Sequence, residues 1–179
     1  MHALILAATL ATAAAAEPSP TRRDVPLQIA DSANLLVNGV QAGWLMGIAF
    51  TVMPMQLSRD FGGYVELHQD LVARSRPVAP LLMPLAVVSS AVPVVMQWGQ
   101  WTKPRFWLSA FSLLCNLGVT AAALAFLQPA NAETAAWSPT QVAPAGWTQV
   151  RDRWTTGHLI QTALSSAAFV ANVAVTVEL

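Results

Sequence analysis

Apolar positions along this chain gather into long blocks, and the polar positions inside those blocks recur at helical spacing. Four blocks have roughly the 20 residues that a membrane-crossing helix needs. They run from about Ile29 to Met53, from about Val78 to Trp98, from Phe106 to Leu127, and from about His158 to Val177. Pro54 marks the end of the first, and its only acid is Asp31, near the start. Backbone groups in lipid must be paired within the protein, so each block is predicted to be a helix. Pro80, Pro84 and Pro93 should kink the second block or delay its start.

Between the first two blocks lies FGGYVELHQDLVARSRP, Phe61 to Pro77. At helical spacing Phe61, Tyr64, Val65, His68, Leu71 and Val72 share a face, while Glu66, Gln69, Asp70 and Arg74 fall elsewhere. This predicts a short interfacial helix lying on the bundle with its apolar face inward. The expected fold is all-α: an integral membrane four-helix bundle with that extra helix between the first and second spans. Three regions are expected. Residues 1–16 form a short apolar segment that resembles a secretory signal, with an A-x-A site near Ala14 to Ala16 but no basic start; a retained membrane-associated helix is the alternative. Residues 17–28 read as a polar linker, and residues 29–179 as the membrane domain.

Composition agrees with a multi-pass membrane protein. The chain is 55% hydrophobic and 10% charged, against about 25% charged in a soluble domain. Net formal charge is zero, which gives no basis for a nucleic-acid partner. The expected partners are the bilayer, a hydrophobic small molecule, and either a membrane protein or a second copy of the chain. The single cysteine, Cys115, permits no intrachain disulfide and reads as a buried thiol. Let side A be the face where the first span begins. Arg22, Arg23, Lys103 and Arg105 then lie on side A, and Arg59, Arg74, Arg76, Arg151 and Arg153 on side B. Four cations against five leave the orientation open.

The polar residues within the spans form stripes. Asp31, Asn34, Asn38 and Gln41 step by three, four and three in the first span; Ser109, Ser112, Asn116 and Thr120 step by three, four and four in the third. His158, Gln161, Ser165 and Asn172 share a face of the fourth, extended by Trp154. Such stripes are expected to face the bundle interior, either as interhelical hydrogen bonds or as the lining of a ligand cavity. Candidate substrate contacts are Asn34, Asn38, Gln41, Trp44, Asn116, Trp154, Gln161 and Ser165, with Arg153 as a receiver for an anionic or phenolate group. Gly39, Gly43 and Gly47 form a ridge that permits close helix approach. Most other tryptophans lie near span ends, as interfacial belts do.

His68 and His158 fall on the same side of the membrane in either orientation. Three roles fit the pair: general acid/base, a haem or metal ligand pair, or hydrogen-bonding anchors. No third strong ligand accompanies them, so a site without a cofactor is the first expectation and haem or metal the alternative.

NGVQAGWLMGIAFTVMP, YVELHQDLVARSRPVAPLLMP and WTQVRDRWTTGHLIQTAL resemble segments of the anthrone oxygenase-like family of small four-helix integral membrane proteins. The resemblance covers about Leu27 to Leu179. Gln161 stands where many members carry arginine. The resemblance implies a membrane oxidoreductase that uses molecular oxygen on a hydrophobic aromatic or lipid-like substrate, with His68 or His158 as base and amides stabilising an enolate. Two alternatives are a non-catalytic membrane subunit that anchors a partner, and a bis-histidine haem or metal carrier.

Overall fold

The structure, a computed structural model, describes residues 24–177. The signal-like segment and most of the linker lie outside the described residues. Helix α1 is Asp24–Gly47, continued by a π-helical stretch Ile48–Val52 and the short α2, Met53–Leu57. Helix α3 is Phe61–Ser75 and α4 is Ala79–Met96. Helix α5, Pro104–Ala122, continues through a second π-helical stretch, Ala123–Leu127, into α6, Gln128–Ala135. Helix α7 is Trp147–Val177. Among the described residues every regular element is helical.

Four helical rods are long and apolar enough to cross a bilayer: Val25–Leu57, Ala79–Met96, Pro104–Ala135 and Trp147–Val177. The chain is thus an all-α, four-span bundle of the multi-pass membrane type. Three rods exceed their expected bounds. The first begins at Asp24, inside the expected linker, and the third and fourth extend on side B by a turn or more of polar helix. At 1.5 Å per residue α4 is about 27 Å long, close to the hydrocarbon thickness of about 30 Å, whereas the others reach about 46–50 Å.

Side A is fixed by the Asp31–Arg105 ion pair between α1 and α5, with Asp31 buried. Below it the stripes meet in one network. Asn34 Nδ2 donates to Asn172 Oδ1 at 2.9 Å, and Ser90 Oγ donates to Asn34 Oδ1 at 2.9 Å. Asn116 Nδ2 donates to Asn38 Oδ1 at 2.8 Å and to Ser90 Oγ at 2.9 Å. Gln41 Nε2 donates to Asn116 Oδ1 at 3.0 Å and to Ser165 Oγ at 3.3 Å. All four spans are therefore tied at one level by amides that would otherwise lie unpaired in a low-dielectric interior.

That level serves as a ruler. Ser90 is eleven residues from Ala79 at the side-B end of α4, and the same count from Asn38 and Asn116 reaches Ala49 and Leu127. Both π-helical stretches thus lie level with the beginning of α4. Beyond them the longer rods overhang, and α3 packs on the overhang against α2 and α6. Asp60 caps α3 by accepting from the Gly63 N–H at 3.0 Å. Phe61 and Tyr64 pack edgewise or tilted on Trp137 and Trp147. These two tryptophans support α3 rather than form a belt, whereas Trp98, Trp101 and Trp107 on side A are exposed as a belt requires.

The glycine ridge differs from its expected use. A Cβ at Gly39 would meet Phe169 at 3.2 Å, but one at Gly43 or Gly47 would meet nothing within 4 Å among the described residues. Those two glycines lie on the exposed face of α1.

Candidate functional site

Helix α4 packs against α1 and α5 but makes no comparable contact with the second π-helical stretch or α6. The rods diverge, and the wedge between them is a cavity of about 780 Å³. One wall is α4, with Ala79, Pro80, Met83, Pro84 and Val87. The opposite wall is the third rod, including Leu117, Leu124, Leu127 and Asn131. Trp44, Leu45, Ile48, Trp154, His158 and Gln161 contribute from α1 and α7, and Leu71, Val72, Ser75 and Arg76 from the end of α3. The volume falls within the range of small-molecule sites, and the lining is mainly apolar with a few polar groups.

The two histidines occupy different positions around this cavity. His158 lines it, while His68 stands behind Asn131. Trp154 touches both rings: it stacks on His158 with centroids 5.0 Å apart and planes at 5°, and meets His68 edgewise at 5.2 Å. No hydrogen bond joins the imidazoles. The expected histidine pair is thus mediated by an indole, which does not suit shared ligation of one metal ion. Among the described residues no group of three or more His, Cys, Asp or Glu side chains gathers as metal ligands.

Hydrogen bonding sets each ring's chemistry. Gln56 Nε2 donates to His68 Nδ1 at 3.2 Å, and the His68 Nε2–H donates to Asn131 Oδ1 at 3.0 Å. Both nitrogens are therefore engaged. Burial lowers the His68 pKa from 6.5 to about 4, partly opposed by the Asn131 bond. A neutral imidazole with both nitrogens committed is a poor base and offers a metal no lone pair. In His158 the Nε2–H donates to the Leu45 carbonyl at 3.1 Å. This tautomer leaves Nδ1 with the lone pair.

The carbonyl that receives His158 lies one turn before the first π-helical stretch. Gln161 Nε2 donates to the Val119 carbonyl at 3.0 Å, one turn before the second. One face of α7 thus braces both widened turns, a geometry often found at functional sites. Close approach at this level relies on Gly157, where a Cβ would meet Phe126 Cβ at 2.4 Å.

Of the other expected substrate contacts, Trp44, Trp154 and Gln161 line the cavity. Asn34, Asn38, Gln41, Asn116 and Ser165 do not. Their amides and hydroxyls are bonded to one another in the network below it, so the hydrogen-bonding reading of the stripes holds for these five. Arg153 is paired with Glu133 outside the cavity and is not free to receive an anion there.

Asn131 was hidden in the sequence. It falls after Leu127, where the apolar block ends and a loop is expected, yet the rod continues through the π-helical stretch into α6. Its Oδ1 is held by His68, and its Nδ2 has no protein partner among the described residues. The sequence signal available was the spacing of Gln128, Asn131 and Ala135, three and four residues apart on one helical face.

A family model described as anthrone oxygenase matches residues 73–171. The matched stretch holds both cavity walls, together with Asn131, Trp154, His158 and Gln161. No curated protein and no solved structure matches the chain.

Proposed function

We propose that this chain, which belongs to the anthrone oxygenase family, is a membrane-embedded oxygenase of hydrophobic aromatic substrates, with His158 as base. The observation that carries this reading is the His158 imidazole, which lines an apolar cavity with Nε2–H fixed on the Leu45 carbonyl and Nδ1 left to accept a proton.

An anthrone has an acidic methylene opposite its carbonyl. His158 Nδ1 removes one methylene proton, and the electron pair delocalises into the ring as an enolate. Asn131 Nδ2, held in place by the His68 bond to Oδ1, is the donor for the enolate oxygen. Molecular oxygen takes the electrons and bonds to the same carbon, and His158 returns its proton to the peroxide, giving a hydroperoxide. His158 then takes the second methylene proton as the O–O bond breaks, and gives it to the departing hydroxide, leaving the quinone and one water. One substrate and one dioxygen yield one quinone and one water, so no external reductant is needed. Trp154 and Trp44 supply aromatic surface for the substrate rings. His68 is a positioning residue in this scheme.

The test is oxygen uptake and quinone formation by the protein purified in detergent and supplied with an anthrone. His158→Ala is expected to lower kcat at least about 100-fold, and Asn131→Ala by about 100-fold with little change in KM. Unchanged turnover in His158→Ala removes the reading.

A non-catalytic subunit that anchors a partner draws on one observation, the outward-facing Gly43 and Gly47 on α1. Comigration with an unrelated chain in mild detergent, together with no turnover, favours it.

A further inference from the structure

The charges around the cavity are distributed unevenly. Four arginines among the described residues are paired with carboxylates: Arg74 with Asp70, Arg105 with Asp31, Arg151 with Asp152, and Arg153 with Glu133. Arg76 is different. It lines the cavity at its outer rim, three residues before α4 begins, and among the described residues no carboxylate lies within ion-pair distance of it.

Depth adds a second observation. Gln161 lines the inner part and is fully buried; its Nε2 is committed to Val119, while its Oε1 has no hydrogen-bond partner among the described residues. A buried acceptor left unpaired is costly, so a ligand hydroxyl donating to it would be favoured. The cavity therefore has a cation at one end, an acceptor near the other, and apolar walls between. Its rim lies at the beginning of α4, level with the hydrocarbon boundary, and its walls run inward to Val88 and Leu117, both exposed on the lipid side. An opening so placed receives molecules dissolved in the bilayer.

We infer that Arg76 selects acidic substrates: the ligand is an aromatic acid that enters between α4 and the third rod, its carboxylate or phenolate held by Arg76 at the rim and a ring hydroxyl directed to Gln161. This rests on the proposed reaction for the location of the site, and it adds the polarity of the substrate and its direction of binding. A bilayer-soluble acid keeps its charge in the headgroup layer and its rings among the acyl chains, so it reaches the rim already oriented. Neutral aromatics of the same size lack that anchor and bind without preference for Arg76.

The test measures binding without turnover. The full chain is placed in nanodiscs of phosphatidylcholine, and quenching of tryptophan fluorescence is titrated with anthracene carboxylate and, separately, with neutral anthracene methanol. Arg76→Gln is expected to weaken the carboxylate about tenfold and leave the alcohol within about twofold, while Arg76→Lys retains most of the preference. Repeating the titration with anionic phosphatidylglycerol added separates the two sources of anion. Retention of the Arg76-dependent preference supports a ligand site, and its disappearance assigns Arg76 to lipid headgroups and overturns the inference. Equal effects of Arg76→Gln on both probes, or no binding of the carboxylate by the unaltered chain, also overturn it. An anthrone that is bound through Arg76 but not oxidised would remove the proposed reaction and leave this inference standing.

Discussion

Trp154 lies flat on His158, the two planes 5° apart, and turns its edge to His68. The indole is almost fully buried and belongs to an apolar cluster with Ile48, Met53, Ala130 and Val150. Truncation to alanine would remove the support of both imidazoles and leave a large void. Trp154→Ala is expected to cost about 3–5 kcal/mol of stability, and Trp154→Phe clearly less. Thermal unfolding in detergent measures both. A melting temperature unchanged in the alanine variant would show that the cluster does not bear on stability.

His68 gives a pH dependence whose sign is fixed. Folding holds the ring neutral down to about pH 4, whereas the unfolded chain takes up a proton near its ordinary value of 6.5. Between those values the unfolded state binds more protons. Stability is therefore full above pH 6.5 and falls as the pH drops toward 4, by up to about 3 kcal/mol. His68→Gln, though less stable at neutral pH, should show a shallower fall over that window. Parallel melting curves for the two proteins from pH 7 to pH 4 would contradict the assignment.

Two glycines separate packing from composition. A Cβ at Gly157 would collide with Phe126 Cβ, an atom anchored to backbone, so Gly157→Ala must push α7 away from the second π-helical stretch. The expected cost is about 1–3 kcal/mol, with loss of turnover because His158 is the next residue. Gly43→Ala meets nothing among the described residues and should shift stability by no more than about 0.5 kcal/mol. Comparable destabilisation by the two would mean that α1 packs on a surface other than the one described.

Asn116 is the centre of the amide network. It donates to Asn38 and Ser90 and accepts from Gln41. Asn116→Leu leaves those groups unpaired and is expected to cost about 1–3 kcal/mol. The network lies below the cavity, so KM should change little. A large rise in KM with unaltered melting would place Asn116 at the substrate instead.

The four spans were legible because length and apolarity suffice to identify them. Their side-B ends were not. There the rods leave the hydrocarbon, and sequences such as QPANAETA, Gln128 to Ala135, read as loop. The stripes correctly pointed inward, but periodicity cannot tell an amide bonded to another amide from one facing a ligand. Asn34 and Gln161 are both buried and both on stripes, yet only Gln161 reaches the cavity. Asn131 was lost for a further reason. Fifteen residues of ordinary α-helix turn it about 60° away from Asn116, and the π-helical stretch alters that register in a way no 3.6-residue repeat reveals. His68 was rightly singled out as an ionisable group on an oily face. Its partners Gln56 and Asn131 come from elements that only tertiary packing brings alongside it.

The brevity of α4, 18 residues beside rods of more than 30, gives the bundle a notched lip on one side. On the proposed reading, greasy reactants and dissolved gas drift in through the notch from the membrane, while the water formed in the reaction leaves across the same threshold. One doorway thereby serves two phases.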